Sequence, residues 1–493
     1  MSHMMGADRE QLRYFSLESS IPEESMVRVI DRFIELQDFT VLGFQNTTPA
    51  ETGRPSYPPK ALAKLYVYGY ENGIRSSRKL ERETLRNIEV MWLINELKPD
   101  YKTIAEFRKN NIRPLQKLFR EFVRLCKAWD LIGGELVAID GMKIKASNNK
   151  KTNYSRKKLA DRIARLDVQI SEYIQKLDEN DVCEKGNDVN AAKLLGEISS
   201  RKEKYERYLK TLDETGKNEL SEVDPDAKLM GNNRGGVDVC YNVQSAADAK
   251  HHIVTNFDVV TSPVDHGQLG KMVKQVKKTL KVKRFTALAD KGYYNGVDLK
   301  RCKRYKVKTI VSKQKPSDPK DQPKEFNNDK FTYSKETDTY TCPTGKTLYP
   351  HNKNSAKRRN FFNKTACRDC PDVEKCAGGK KGYRTVTRSQ YGDIYDEVDR
   401  RTKNNIHLYK LRQQIVEHPF GTVKHTLHGG YFLLRTRRKV RTEVALLFLG
   451  YNLKRAYNIL GVREIMARLD AFSMRSLAFF RVFSLFPRIK TFA

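Results

Sequence analysis

The sequence predicts an α/β protein: a mixed sheet flanked by helices, with an all-α N-terminal domain, an inserted helical hairpin and a small cysteine-rich insert. Residues 136–146 hold four apolar residues in a row, then Asp140 and a glycine, and residues 285–292 repeat this order around Asp290. Unbroken apolar runs are typical of strands buried on both faces of a sheet. Helical spacing dominates before the first run, and four of the eight cysteines lie together after the second.

Length and charge limit the class of protein. The 493 residues are too many for a single core, and the hydrophobic fraction of 39% is enough for globular folding. Lysine and arginine number 93 against 60 acidic residues, a net charge of +33. Such an excess favours a nucleic acid partner, because it neutralises phosphates. A generally basic solvated surface and an anionic membrane surface are the alternatives.

The sequence also predicts a location. No apolar run of about 20 residues, as a membrane span needs, and no basic-then-apolar leader is visible. The eight cysteines are not arranged as a secreted disulfide framework. We therefore expect a cytoplasmic protein that does not enter a membrane.

Residues 1–133 are predicted to form a helical N-terminal DNA-binding domain. Apolar residues recur at helical spacing in residues 25–36 and 58–70, and Thr103 and Glu106 have the spacing of a capping box. Short helices rich in arginine and lysine suit a helix-turn-helix type of domain. An ordinary helical bundle fits the same pattern.

The predicted catalytic core is interrupted by inserts. Its segments are a first strand in residues 134–154, a helical hairpin in 155–230, a central part in 231–330, a cysteine-rich insert in 331–395, C-terminal helices in 396–465 and a tail in 466–493. Two strand patterns in the central part precede a helix at 268–280. Strands, a helix and a further strand are the order of an α/β sheet with a crossover.

Asp140 and Asp290 are the candidate metal ligands. Each follows a predicted buried strand, and a carboxylate is costly to bury unless it is paired or bound to a cation. Two carboxylates at the ends of sheet strands suit a magnesium or manganese site. Asp265, in a loop before the predicted helix, is a weaker candidate ligand, with a helix N-terminal acid as the alternative interpretation.

The cysteine-rich insert is predicted to hold a structural zinc ion. The four candidate ligands are Cys342, Cys367, Cys370 and Cys376, of which the second and third form a Cys-x2-Cys pair. The metal would supply folding energy that a short insert lacks. Buried free thiols are the alternative, and a redox pair is less well supported because no βαβ pattern surrounds these residues.

A third acidic residue lies in the helical pattern of residues 404–425. Glu417 is flanked by Arg412 and Lys424, two cations able to hold a phosphate beside it, and Pro419 is predicted to kink or restart the helix. Alone, Glu417 would be interpreted as a surface acid. Beside two strand-end aspartates, it is a candidate third ligand. Residues 442–460 predict an apolar helix packed on the sheet.

Together these segments resemble the bacterial insertion-sequence transposases of the DDE type. The resemblance spans residues 50–460 and is carried by the N-terminal helices through residue 108 and the segments AIDGMKIKA, CYNVQS, ALADKGYYNG, VEHPFGTVK and YNLKR. Tyr409, Arg412, Glu417 and Lys424 resemble the Tyr-Arg-Glu-Lys signature of one large branch. The gap from arginine to glutamate is one residue longer here than in that signature.

The resemblance implies a ribonuclease H-like core in which Asp140, Asp290 and Glu417 bind two Mg²⁺ or Mn²⁺ ions. Such enzymes cut DNA at the ends of a mobile element and join the 3′-hydroxyl to target DNA. The residues expected to bind DNA or phosphate are Lys424, Arg412, Tyr409, Lys143 and Lys291. The implied partners are double-stranded DNA, as transposon ends and target, and a second copy of the chain, giving at least a dimer on DNA at the bacterial nucleoid.

Two other functions fit parts of the sequence. A metal-dependent nuclease or resolvase of the same fold would keep the carboxylates but would not transfer strands. A non-catalytic DNA-binding regulator would keep the basic helices and the zinc site, and it would leave the three carboxylates without a role.

Overall fold

The structure is a computed structural model that describes residues 10, 14, 16–49, 51–53, 55–180, 188–231, 235–313, 323–351, 358–377 and 382–484. Side chains are described for the same residues except 176–180, 188–192 and 473–484.

The N-terminal region is helical, as predicted. Its helices are α1 (Met26–Glu35), α2 (Phe39–Leu42), α3 (Pro59–Glu71), α4 (Ser77–Arg86), α5 (Ile88–Leu93), α6 (Tyr101–Asn110) and α7 (Ile112–Ala128). The predicted capping box at Thr103 is wrong. Asp100 caps α6 instead, and its carboxylate accepts the backbone N–H of Thr103 at 2.7 Å. Thr103 is the third residue inside the helix, where its own N–H needs a cap.

A mixed sheet lies at the centre of the chain. The strands up to residue 311 are β1 (Leu136–Lys145), β2 (Asn153–Ser155), β3 (Glu219–Ser221), β4 (Lys228–Gly231), β5 (Val237–Asp248), β6 (Val254–Val260), β7 (Thr286–Ala289) and β8 (Lys308–Val311). β5 pairs antiparallel with β1 on one side and with β4 and β6 on the other. β7 runs parallel to β1, and β8 runs parallel to β7. The predicted mixed sheet with a helical N-terminal region is confirmed.

The predicted helical hairpin is present between β2 and β3. It consists of α8 (Arg156–Asn180) and α9 (Asp188–Thr215), and the chain continues after β6 with α10 (Leu269–Leu280) and after β7 with α11 (Gly296–Arg304). Leu159 of α8 and Leu212 of α9 are fully buried in a small cluster at the base of the hairpin. Because β2 and β3 pair there, the two ends of the hairpin lie side by side where it joins the core.

The cysteine-rich insert has a sheet of its own. It contains β9 (Thr332–Ser334), β10 (Thr339–Thr341), β11 (Thr347–His351), β12 (Arg358–Phe362), α12 (Lys364–Arg368), α13 (Val373–Ala377) and β13 (Val386–Ser389). Neighbouring strands pair antiparallel in the order β13, β12, β11, β10, β9. Phe361 and Leu348 are almost fully buried in its core. Apolar burial therefore contributes to its stability, so a metal would not be its sole source of folding energy.

The C-terminal helices cover both faces of the sheet. They are α14 (Gly392–Asn404), α15 (Ile406–Gly421) and α16 (Arg437–Ser484). α15 packs Ile415 and Val416 onto Ala138 of β1 and Leu288 of β7. The opposite face belongs to the main core, which also contains residues of α7, α10 and α16.

One prediction about these helices needs correction. α15 runs on through Pro419, so the helix does not restart there, and a π-helical turn at Thr422–Thr426 follows. The predicted helix at 442–460 is confirmed: it forms most of the first part of α16, which ends where Gly461 (φ 75°) interrupts the helical geometry. Residues 466–484 of the predicted tail are therefore helical, and residues 485–493 lie outside the described residues.

The YNLKR segment of α16 fixes the edge of the sheet. The Asn452 side chain accepts the N–H of Val254 and donates to its carbonyl, both at 2.9 Å. The hydroxyl of Tyr451 donates to the His252 carbonyl at 2.9 Å and lies 2.8 Å from Nδ1 of His418 in α15. These bonds satisfy backbone groups at the start of β6 and in the turn before it, which an exposed edge strand would leave unpaired.

A buried ion pair joins the N-terminal helices to α16. Arg75 and Glu443 lie 2.9 Å apart, and their side chains are 3% and 0% exposed. The Glu443 carboxylate also accepts the N–H groups of Leu433 and Leu434. Burial raises the pKa of Glu443, an effect that Arg75 and the two N–H groups oppose. The pair thus fixes the segment before α16 against the N-terminal region.

Candidate active site

Asp140 lies inside β1 and not at its end. The strand continues to Lys145 because residues 141–145 pair with residues 240–244 of β5. One oxygen of Asp140 accepts the backbone N–H of Gly141 at 2.8 Å. The parallel pairing with β7 stops at Ile139, so Asp140 is the first residue of β1 beyond that neighbour.

Asp290 immediately follows β7. Because Ile139 pairs with Ala289, the two aspartates occupy matching positions on neighbouring parallel strands, which lie about 4.8 Å apart. One oxygen of Asp290 accepts the N–H of Lys291 at 2.6 Å and caps the short 3₁₀ helix Lys291–Tyr293. The structure therefore places the two predicted aspartates side by side.

The charge of Asp140 is constrained by its surroundings. Burial raises the pKa of its carboxyl to about 6, and the charges of Asp290 and Asp265 act in the same direction. Arg412 and the Gly141 N–H lower this pKa. Positive charge beside Asp140 thus favours its carboxylate form over the neutral acid.

Arg412 of α15 supplies that charge. Its Nη1 donates to Oδ2 of Asp140 at 2.7 Å, and the two side chains are 15% and 22% exposed. The guanidinium lies 5.9 Å from the ring centre of Tyr409, another α15 residue, which packs against the sheet. The buried Nε of Arg412 has no hydrogen-bond partner among the residues that the structure describes. Arg412, predicted to bind phosphate, is thus paired with the first aspartate.

Glu417 lies on the exposed side of the same helix. Its carboxylate accepts a hydrogen bond from Gln413 at 2.7 Å. Ile415 and Val416, its neighbours in sequence, are the residues buried against the sheet. Within the described part of the chain, the structure brings Asp140 and Asp290 together but does not bring Glu417 into contact with either.

Lys424 lies in the π-helical turn after α15, half-buried near β5. Burial lowers the pKa of its ammonium group, and the thiol of Cys240 opposes that effect. Lys143 is exposed on β1 and donates to the carbonyl of Gly231 at 3.0 Å. Lys291 is exposed directly after Asp290. Of the three lysines, Lys291 bonds to an aspartate through its backbone N–H, at Asp290, whereas the side chains of Lys143 and Lys424 make no hydrogen bond to either aspartate among the described residues.

A buried polar network lies next to the two aspartates, and the sequence predicted only one of its members, Asp265. Asp265 accepts hydrogen bonds from the amides of Asn242 and Gln244, at 2.8 and 2.7 Å. The hydroxyl of Tyr293 donates to Gln244 at 2.6 Å. Asp265 was a weak candidate in the sequence, whereas the two amides and the tyrosine are buried in strand or helix patterns that resemble ordinary core.

The four insert cysteines line one pocket, between α12, α13 and the β10–β11 turn. Burial raises the pKa of Cys376 to about 11, and the other three cysteines act in the same direction. The backbone N–H of Lys346 donates to Sγ of Cys342 at 3.2 Å. Across the described ranges, however, no three histidine, cysteine or acidic side chains are arranged as metal ligands. The zinc site and the carboxylate metal site therefore stay predictions.

No helix among the described residues is long and apolar enough to cross a membrane.

Comparison with known proteins identifies two segments. Residues 15–110 match the family described as Transposase domain (DUF772), and residues 341–457 match Transposase DDE domain. Glu417 and the four insert cysteines lie in the second segment, and Asp140 and Asp290 lie outside both.

Other comparisons add little. No curated protein matches the chain. A solved structure of piggyBac transposase in a synaptic complex with hairpin DNA aligns over 95% of this chain and 87% of its own, with 10% identity and a TM-score of 0.25, too low to indicate a shared fold. Both matched segments are similar to transposase domains, and together with the residues that carry the resemblance they support a DDE transposase of an insertion sequence.

Proposed function

We propose that this transposase binds the terminal repeats of its element, cuts DNA there by metal-assisted hydrolysis, and joins the 3′-hydroxyl ends to target DNA. The observation that carries the proposal is the side-by-side placement of Asp140 and Asp290 on parallel strands β1 and β7. The strand order β6, β5, β1, β7, β8, with antiparallel pairing before β1 and parallel pairing after it, supports a ribonuclease H-like core.

The aspartate pair fits a hard divalent cation. Both carboxylates offer oxygen ligands, which Mg²⁺ and Mn²⁺ prefer. Burial and mutual repulsion raise the pKa of Asp140, so a cation bound there would relieve both costs. Two such ions, when bound, stabilise the attacking and leaving oxygens of a phosphodiester. Asp140 and Asp290 would hold them, with Glu417 as the third ligand.

Glu417 can reach the pair only if α15 or its side chain moves. Its present partner, Gln413, is on the exposed side of the helix. The helix is anchored to the sheet by Ile415 and Val416, so a change in side-chain rotamer costs less than a shift of the helix. We propose that DNA binding brings Glu417 to the aspartates.

Arg412 and Lys424 would meet the DNA backbone. Arg412 now neutralises Asp140, and a cation on Asp140 would free its guanidinium for a phosphate, the anion that its planar donors match. Lys424 is half-buried and its ammonium is partly desolvated, which strengthens its interaction with a phosphate. The ring of Tyr409 would hold the Arg412 guanidinium in position. Lys143 and Lys291 would extend the basic surface that meets the DNA.

The DNA partner follows from charge. A net charge of +33 suits long phosphate backbones, at transposon ends and at target DNA. Two ends must be joined in one event, so a homodimer or larger assembly on DNA is part of the proposal. Such an enzyme would act at the bacterial nucleoid, in the cytoplasm.

The products that wild-type protein makes test the reaction class. Labelled DNA from the segments flanking the gene is incubated with the full chain, a plasmid target and Mg²⁺. Joined products are expected. Cutting without joining would favour a nuclease or resolvase, and binding without cutting at any divalent-metal concentration would favour a non-catalytic regulator.

Metal analysis tests the proposed zinc site. We expect about one zinc per chain, because four thiolates around one pocket fit a tetrahedral site. Cys370→Ser should lower the zinc content at least tenfold, measured by mass spectrometry of the purified protein. Cys302→Ser, in the buried core of α11, is the matched control and should keep the metal. Equal zinc content in both variants, or none in the wild type, would contradict the site.

A further inference from the structure

We infer that Asp265 is a positioning residue of the active site, which holds the backbone beside both aspartates and adds negative charge that strengthens metal binding. The inference rests on the proposed function, since it concerns the metal expected at Asp140 and Asp290. Asp265 lies in the loop between β6 and α10, outside both matched family segments.

Asp265 is held by a buried amide cradle. Its Oδ1 accepts from Nδ2 of Asn242 at 2.8 Å and from Nε2 of Gln244 at 2.7 Å. These two β5 residues are 1% and 0% exposed, and the Gln244 amide also donates to Oδ1 of Asn242 at 3.0 Å. Buried amides need such partners, so the carboxylate position is fixed by groups that cannot turn to solvent.

The cradle is linked to Asp290 through Tyr293. The Tyr293 hydroxyl donates to Oε1 of Gln244 at 2.6 Å, and this tyrosine is fully buried. It ends the 3₁₀ helix that Asp290 caps. The orientation of Gln244, with its amide nitrogen toward Asp265, is therefore set by the same turn that carries the second aspartate.

The amide cradle lies against Gly141, the residue that follows Asp140. A Cβ on Gly141 would lie 2.6 Å from Oδ1 of Asp265 and 2.6 Å from Nε2 of Gln244, too close for any side chain. A Cβ on Gly292, two residues after Asp290, would lie 3.4 Å from Oδ2 of Asp265. The carboxylate thus sits between the glycines that follow the two aspartates, and its close approach accounts for a glycine at position 141.

This placement gives Asp265 an electrostatic effect on the site. Its carboxylate is held beside Gly141 and Gly292, next to both aspartates, so its charge acts on the pair. A third negative charge next to two carboxylates favours a bound divalent cation over the metal-free pair. Groups behind metal ligands typically change metal affinity by about 10–100-fold when they are removed.

Manganese titration of the full chain tests the inference, with free Mn²⁺ measured by electron paramagnetic resonance. Asp265→Asn keeps the acceptor for both amides and removes only the charge. We expect Mn²⁺ affinity to fall about tenfold, with an unchanged melting temperature. Asp399→Asn is the matched control: this half-buried aspartate accepts from Tyr294, the residue next to Tyr293, at 2.8 Å. It should bind Mn²⁺ like the wild type.

The outcomes separate the two proposals. Wild-type binding that Asp140→Asn does not weaken would refute the proposed metal site itself. Binding that depends on Asp140 but is unchanged in Asp265→Asn, or equally weakened in Asp399→Asn, would overturn only the role of Asp265. Gly141→Ala is a second test of the role of Asp265. Its methyl group would displace the cradle without altering a carboxylate, so it should weaken Mn²⁺ binding as well.

Discussion

Replacing Asp140 with asparagine is expected to abolish cutting and joining of transposon-end DNA while leaving DNA binding intact. Asparagine keeps the size of the side chain but loses the charge that a divalent cation and Arg412 both need. Removing groups behind a metal ligand already costs up to about 100-fold, so loss of a ligand should exceed that factor. Asp290→Asn should have an effect of the same size.

Asp258 provides the matched control for Asp140. It lies on β6 of the same sheet, and its side chain is 13% exposed, against 22% for Asp140. Its carboxylate pairs with Arg441 of α16 at 2.7 Å, which is also the distance between Asp140 and Arg412. Asp258→Asn therefore removes an equivalent pair between strand and helix outside the site. The assay is cleavage and joining of labelled ends, beside a gel-shift titration. Equal activity of Asp140→Asn and Asp258→Asn would mean that Asp140 is not a metal ligand.

The aspartate pair could be predicted from sequence because a buried strand has a simple pattern. Val137, Ile139 and Leu288 belong to apolar runs with no polar alternation, and these runs became parallel neighbours β1 and β7. A carboxylate directly after each run then had to share one edge of the sheet. What the pattern could not show is that β1 continues past Asp140, because that depends on its antiparallel partner β5.

Contacts between distant parts of the chain explain the other misses. Arg412 lies 272 residues from Asp140, and only the packing of α15 on the sheet shows that they pair. Gln244 and Tyr293 read as ordinary strand and turn residues, since a buried hydrogen-bond network has no periodicity in sequence. The YNLKR segment resembled a family signature, and in the structure Asn452 bonds the edge of the sheet. α15 continues through Pro419, so the packing of its neighbours outweighs the unfavourable effect of proline inside a helix.

Glu443→Ala is expected to cause the largest loss of stability among single substitutions at the ion pairs of the described residues. The side chain is fully buried, and its removal would leave Arg75 as an uncompensated buried charge. Breaking such a pair costs about 3–5 kcal/mol. The N–H groups of Leu433 and Leu434 would also lose their acceptor, each at a cost of about 1–3 kcal/mol when buried.

Urea denaturation followed by tryptophan fluorescence measures this loss, because Trp92 and Trp129, the two tryptophans of the chain, lie in or next to the N-terminal helices that Arg75 joins to α16. Glu121→Ala is the control. It breaks the Arg124–Glu121 pair, whose arginine is 69% exposed, and should cost no more than about 1 kcal/mol. The double variant Arg75→Met, Glu443→Leu should recover much of the lost stability, since no charge is left buried. If Glu443→Ala shifted the unfolding midpoint no more than Glu121→Ala, the Arg75–Glu443 pair would not be what holds the N-terminal helices to α16.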